Sequence, residues 1–278
     1  MEIHHYTKAA TLPLILASRK FRFTRADLLD DTTEVPFRDA RLDSRFYFVN
    51  SWSAAAIDQA SQWFQYGDGG RGVCITTEGV PFDFNLLTVD VRRPTIHGTA
   101  GVQLAGVIAP FSLETMFGNG YFLQPDAADM RPCFGGKVVY DDNPAQWARQ
   151  FVTSSDEQIT VHGQGTCIAR VKSKMWAEQR EFRFVLSAIK GPQMNYVDSS
   201  TAYEKALLDQ FESDGANGGV HVPTSATFID LPFSAKCLEH LVVTLGPKIS
   251  AADRQMISAA LATHAPRATV RESALPLR

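Results

Sequence analysis

Short runs in which apolar and polar positions alternate with a period of two are interleaved with stretches of helical period along the chain. Glu2-Ile3-His4-His5-Tyr6-Thr7 reads as a short strand. Leu12, Ile15 and Leu16 then mark one face of a helix, capped by Thr7 or Thr11 and with Pro13 in its first turn. Lys20 to Thr24 predicts a second strand that leads into the acidic turn Asp27-Leu28-Leu29-Asp30-Asp31. Phe46 to Asn50 predicts a third, ending at Ser51-Trp52-Ser53, and Ser53 is placed to cap a helix from Ala54 to about Tyr66. Asp68-Gly69-Gly70 is a turn before the strand Gly72 to Thr77.

From Pro81 to Pro132 the periodicity fades among glycines, prolines and isolated aromatics, and the stretch reads as an elaborated insertion at about 81–132. Strand signals resume at Lys137 to Tyr140, a helix is predicted from Pro144 to Phe151, and Thr166 to Val171 is a further strand candidate. Phe182 to Ile189 is the clearest strand of the second half. Thr201-Ala202-Tyr203-Glu204 has capping-box form before Leu207, Leu208 and Phe211, with a turn marked by Gly215, Gly218 and Gly219. The end predicts a strand at Leu241 to Leu245, a helix opened by Ser250 and Asp253, and a last strand at Ala268 to Arg271. Strands and helices mix without a regular crossover period, and no Gly-x-Gly-x-x-Gly follows a strand, so the expectation is one α+β domain over residues 1–278.

Composition changes this picture little. The 278 residues are 45% hydrophobic and 21% charged, ordinary for a folded chain. A net charge of -3 offers no global pull toward nucleic acid or anionic lipid. Pro94 to Leu113 lacks formal charge and approaches span length, but its glycines, Gln103 and Pro110 make a buried loop or strand pair the better reading than a membrane span. Met1 to Ala10 lacks a secretory pattern, so the expectation is a cytoplasmic protein. Cys74, Cys133, Cys167 and Cys237 are widely spaced and read as free thiols, not as a metal set.

Three constellations carry candidate chemistry. On a strand, His5 shares a face with Ile3 and Thr7, while His4 and Tyr6 share the other. An imidazole donor beside the Thr7 hydroxyl suits a ribose, and the alternative is a hydrogen-bonded core histidine with a helix-capping threonine. Ser51-Trp52-Ser53 precedes Trp63 and Tyr66, which are spaced to share a helix face and either stack on a planar ring or pack in the core. In Trp176 to Arg183, an extended chain projects Gln179, Glu181 and Arg183 to one side and Phe182, Phe184 and Leu186 to the other. Glu181 is then placed to stabilise an oxocarbenium-like centre and Gln179 to orient a nucleophile, against the plainer reading of an ion-paired amphipathic strand. Asp30, Asp31 and Glu34 form an acidic patch that either caps turns or binds a cation.

Taken in order, His5-Tyr6-Thr7, Asp30-Asp31 with Glu34, Trp52-Ser53, Trp63 with Tyr66, Gly72-Val73-Cys74-Ile75, and Trp176 with Gln179, Glu181 and Arg183 resemble a bacterial family, the domain-of-unknown-function family 2971. Asp30, Thr32 and Gln179 depart from its usual residues. The layout is also similar to that of ADP-ribosyltransferases. That resemblance implies two small packed mixed or antiparallel sheets with flanking helices and a cleft for NAD. It implies His5, Tyr6 and Thr7 on NAD, with Ser51, Trp52, Ser53, Tyr66 and Arg183 around it, and Gln179 and Glu181 as catalytic pair, with Glu178 as the alternative acid. The acceptor it implies is a protein, a nucleic acid or a small molecule, no metal is called for, and the setting is a toxin or phage-defence effector. The competing expectation is a binding or regulatory module without catalysis.

Overall fold

The computed structural model describes residues 1–276 except 32, 38, 40, 97, 156–158 and 217–220, so Thr32, His97, Gly218 and Gly219 lie outside the described residues. The chain opens with β1 (Glu2–Thr7), α1 (Thr11–Ser18), β2 (Lys20–Arg25) and β3 (Tyr47–Ser53). Neither Thr7 nor Thr11 caps α1, because the first is still in β1 and the second is already helical; Ala10 holds that place without a side-chain bond. Then come α2 (Ala60–Gln65) and β4 (Val73–Glu78). The helix expected from Ala54 begins only at Ala60. Ser53 ends β3 instead, its Oγ accepting from Ala55 N at 3.2 Å, and Asp58 adopts a left-handed φ of 66° that no helix tolerates.

The region read as an insertion is led by a long antiparallel hairpin, β5 (Asn85–Thr95) and β6 (Gly98–Ala109), which accounts for the uncharged stretch. It continues through α3 (Leu113–Met116) into β7 (Phe117–Gly118) and β8 (Tyr121–Gln124). After β9 (Gly135–Lys137), β10 (Val139–Asp141), α4 (Pro144–Ala148), β11 (Val152–Ser154) and β12 (Ile159–Val161), the strand expected at Thr166 is replaced by tight turns over Gly165–Arg170. Asp126 Oδ2 accepts from both Thr166 N and Thr166 Oγ1, at 3.3 and 2.5 Å, and curls the backbone there. β13 (Val171–Ser173) and β14 (Glu181–Lys190) follow, then α5 (Ser200–Ala216). Ser199 caps α5 through Ala202 N at 3.3 Å, so the box at Thr201 does not form; Glu204 accepts from Tyr196 Oη instead. β15 (Phe228–Pro232), α6 (Ala235–Glu239), β16 (Val242–Leu245), α7 (Ala251–His264) and β17 (Thr269–Glu272) close the chain.

The architecture is mixed α+β, with one sheet of 11 strands and three two-stranded ribbons among the described residues. The main path runs β17-β16-β4-β1-β3-β14-β8-β7, with β2 and β15 branching from β3 and β9 pairing with β14. The branch is what builds the site. β1 reaches β3 only at His4 opposite Ser53, and β2 reaches the same strand at Thr24 opposite Val49 and Arg25 opposite Phe48. Between those contacts Asn50, Ser51 and Trp52 face a gap where the sheet forks, while β14 pairs with the whole length of β3 on the other side. Apolar packing of Phe21, Phe23, Trp52, Phe82, Phe134 and Phe184 fills the space beneath the fork. Among the described residues no helix is long and apolar enough to cross a membrane.

Candidate functional site

A cavity of about 490 Å³ opens at the fork, within the size range of small-molecule sites. β1 supplies His4, His5 and Tyr6, β3 supplies Asn50 to Ser53, and the turn after β2 supplies Asp30, Asp31 and Glu34. Gln62 and Tyr66 come from α2 and its end, Lys172 from β13, and Gln179, Glu181 and Arg183 from β14 and its approach.

Register decides which side chains share a face. His4, Ser53 and Glu181 form one rung across β1, β3 and β14, and Ser51 with Arg183 forms the next. His5 therefore points to the opposite face, and it reaches the cavity only because the fork leaves that edge open. Its ring packs 5.1 Å from Trp52 and 5.8 Å from Phe21. Its Nδ1 lies 3.0 Å from Ser51 O, and a carbonyl only accepts, so Nδ1 carries the proton. Burial lowers the imidazole below its ordinary value against the opposing effect of that bond, which keeps the ring neutral. Nε2 is then an acceptor, not the donor that sequence reasoning expected. His4 is buried, with Nδ1 2.8 Å from Thr76 Oγ1, and burial depresses it as well.

The segment Lys174–Gln179 is a run of tight helical turns, not the extended strand expected from Trp176 onward. Arg180, at a φ of 44°, reverses the chain into β14 and swings Gln179 back toward the cavity. Gln179 and Glu181 are thus neighbours for a different reason than alternation. Glu178 is exposed and does not line the cavity.

Four opposed charges occupy the floor. Arg183, 1% exposed, donates to both Glu34 oxygens at 2.6 Å and to Glu181 Oε1 and Oε2 at 2.7 and 3.1 Å. Lys172 Nζ lies 3.2 Å from Glu34 Oε1 and 3.4 Å from Glu181 Oε2, and donates to Gln179 Oε1 at 3.0 Å. Two carboxylates against two cations leave the cluster neutral. Burial raises the Glu181 carboxyl, but Arg183 and Lys172 outweigh it and hold the group below its ordinary value, with help from the Ser51 hydroxyl. Glu181 is therefore ionised at neutral pH. Burial disfavours the Arg183 cation, yet Glu181 and Glu34 overcompensate and raise it.

Above this floor Gln179 Nε2 donates to Tyr66 Oη at 2.9 Å, leaving the tyrosine's own proton free to donate. Burial, then the Glu181 charge, pushes that phenol up to about 12. Tyr66 is 41% exposed, whereas Trp63 is fully buried edge-on against Tyr6 at 4.9 Å and donates to Asp58. The expected Trp63–Tyr66 stacking pair is consequently split between core and cavity. Trp52 is buried in the aromatic packing and bonded to Asn50 Oδ1 at 2.5 Å, and the Ser53 hydroxyl is placed to donate to Gln179 O at 3.4 Å. Thr7 stands opposite Val73 and lies outside the cavity lining, so its place on a ligand is withdrawn.

Sequence reasoning missed Lys172, Asn50 and the destination of Glu34. Glu34 was read as a turn or cation residue, but Arg183 and Lys172 already occupy both its oxygens. Among the described residues no group of three or more His, Cys, Asp or Glu side chains is arranged to hold a metal. No protein-family model, curated protein or solved structure matches the chain, and the site is read from its own chemistry.

Proposed function

We propose that the cleft binds NAD and that the chain transfers ADP-ribose to an acceptor, as the motif layout resembling ADP-ribosyltransferases implies. The observation that supports this best is an ionised, buried Glu181 sharing one nucleotide-sized cavity with the neutral imidazole of His5. Cleavage of the nicotinamide–ribose bond sends its electron pair to the departing nicotinamide and leaves positive charge on the ribose. A carboxylate fixed in a poorly solvated cleft stabilises that charge without reorganising. His5 Nε2 accepts from a ribose hydroxyl, and the half-exposed Tyr66 supplies both a ring face and a hydroxyl donor. The acceptor's nucleophilic atom then bonds to the ribose carbon and releases its proton to solvent water at the open side of the cleft.

Titration calorimetry with NAD, followed by NAD consumption in the presence of cell lysate, tests the reading. Wild-type protein binds and consumes NAD, and Glu181→Gln keeps binding but loses turnover by about 100-fold or more. Absence of both binding and turnover in the wild type rejects it. One observation favours a second reading, a ligand-binding module without chemistry: Arg183 already engages both Glu181 oxygens. NAD bound tightly but never consumed, with any lysate, selects that alternative.

A further inference from the structure

We propose that Lys172 is a positioning residue that fixes the Gln179 amide and the Glu181 carboxylate relative to each other. Three observations carry this. Lys172 is 6% exposed and its ammonium meets three oxygens, Gln179 Oε1 at 3.0 Å, Glu34 Oε1 at 3.2 Å and Glu181 Oε2 at 3.4 Å. The amide of Gln179 is thereby given one orientation, its oxygen toward Lys172 and its nitrogen toward Tyr66 at 2.9 Å. Lys172 also comes from β13, which pairs with β10 and not with β14, so it holds the two side chains from outside β14 and the turns that lead into it. Trp176 covers the ammonium at 4.9 Å and confines it further.

The structure offers a simpler role to test against: Lys172 as nothing more than the second counter-charge for Glu34 and Glu181. The two roles separate in a Glu34→Gln background, where the remaining cluster holds one carboxylate and its Arg183 partner and no longer needs a second cation for balance. Adding Lys172→Met to that background leaves a floor with one carboxylate against one guanidinium, and its unfolding midpoint is measured beside its kinetics. A positioning role predicts that this addition lowers kcat for NAD cleavage by about 100-fold with little change in KM, the size expected for a misplaced reacting group. A counter-charge role predicts no change.

The catalytic consequence rests on the NAD reading, but the positioning does not, and a second measurement keeps the two distinct. Carbon-13 NMR of Glu181 and nitrogen-15 NMR of the Gln179 side-chain amide are recorded in Glu34→Gln with and without Lys172→Met. Glu181 faces Arg183, Lys172, Ser51, Tyr66 and Tyr140, and only Lys172 differs between the two proteins. Loss of the neighbouring cation moves the Glu181 titration upward under either role, so the result that marks positioning is loss of the single Gln179 amide environment. An unchanged Gln179 amide overturns the proposal, whether or not the Glu181 titration moves and whether or not NAD is consumed. If wild-type protein ignores NAD yet the single Gln179 amide environment is lost, the positioning stands and only the functional reading falls.

Discussion

The two faces of β14 are buried almost equally and held by different physics. On one, Phe182, Phe184 and Leu186 join Trp52 and Phe134, and Gly135 lies so close that a Cβ there would stand 2.5 Å from the Phe184 ring. That contact is dispersion and excluded water, tolerant of direction and intolerant of lost volume. On the other face, Glu181 and Arg183 meet Glu34 and Lys172 through bonds whose direction and charge sign both matter. One strand of period two thus anchors itself with carbon and aims ions with the same backbone. The lesson is that the aromatic face makes the ionic one affordable, because desolvated charges persist only where their partners cannot drift.

Breaking each face should give losses of similar size and different repair. Arg183→Met strands two carboxylates against Lys172 alone and is expected to cost about 3–5 kcal/mol in urea unfolding. Phe184→Ala should cost about 3–5 kcal/mol through the void it leaves. Adding Glu34→Leu to Arg183→Met recovers part of the first loss, since a stranded charge goes with it. A double variant no more stable than Arg183→Met alone would show that stranded charge is not the cause.

A smaller effect sharpens the contrast through pH. Glu181 has a folded value below its ordinary 4.5, so its stabilisation is complete above 4.5 and is lost as pH falls through the lower folded value. His4 and His5, also depressed, resist protonation when folded; their contribution is complete above 6.5 and is lost as pH falls through their folded values. The urea midpoint should therefore decline in two acid stages, the upper one flattened by His5→Asn and the lower by Glu181→Gln. Smallest of all, Tyr66→Phe removes one hydrogen bond to Gln179 and should cost about 0.5–1.5 kcal/mol, with the unfolding midpoint as readout.

The strands were the most legible part of the sequence. Phe182 to Ile189 announces β14 because both its faces are occupied and its length suits a strand. The approach to it was not legible, since nothing local requires Arg180 to turn left-handed and convert an apparent strand into tight turns. Glu34 illustrates the same boundary: its neighbours describe a turn, while its partner Arg183 is supplied by a strand far along the chain. Lys172 sits in a three-residue strand with no flanking pattern, and a buried lysine is visible only once its oxygens are. The neutral state of His5 depends on its burial and the proton on Nδ1 on the carbonyl of Ser51, neither of which the residue letters contain.

The fork in the sheet has a consequence for the opening it leaves. Both ends of the opening along β3 are joined by backbone ladders, at His4 with Ser53 and at Thr24 with Val49, so its length on that strand is set by registry. The span left open between them is three residues of one strand, Asn50, Ser51 and Trp52, a distance counted in peptide units.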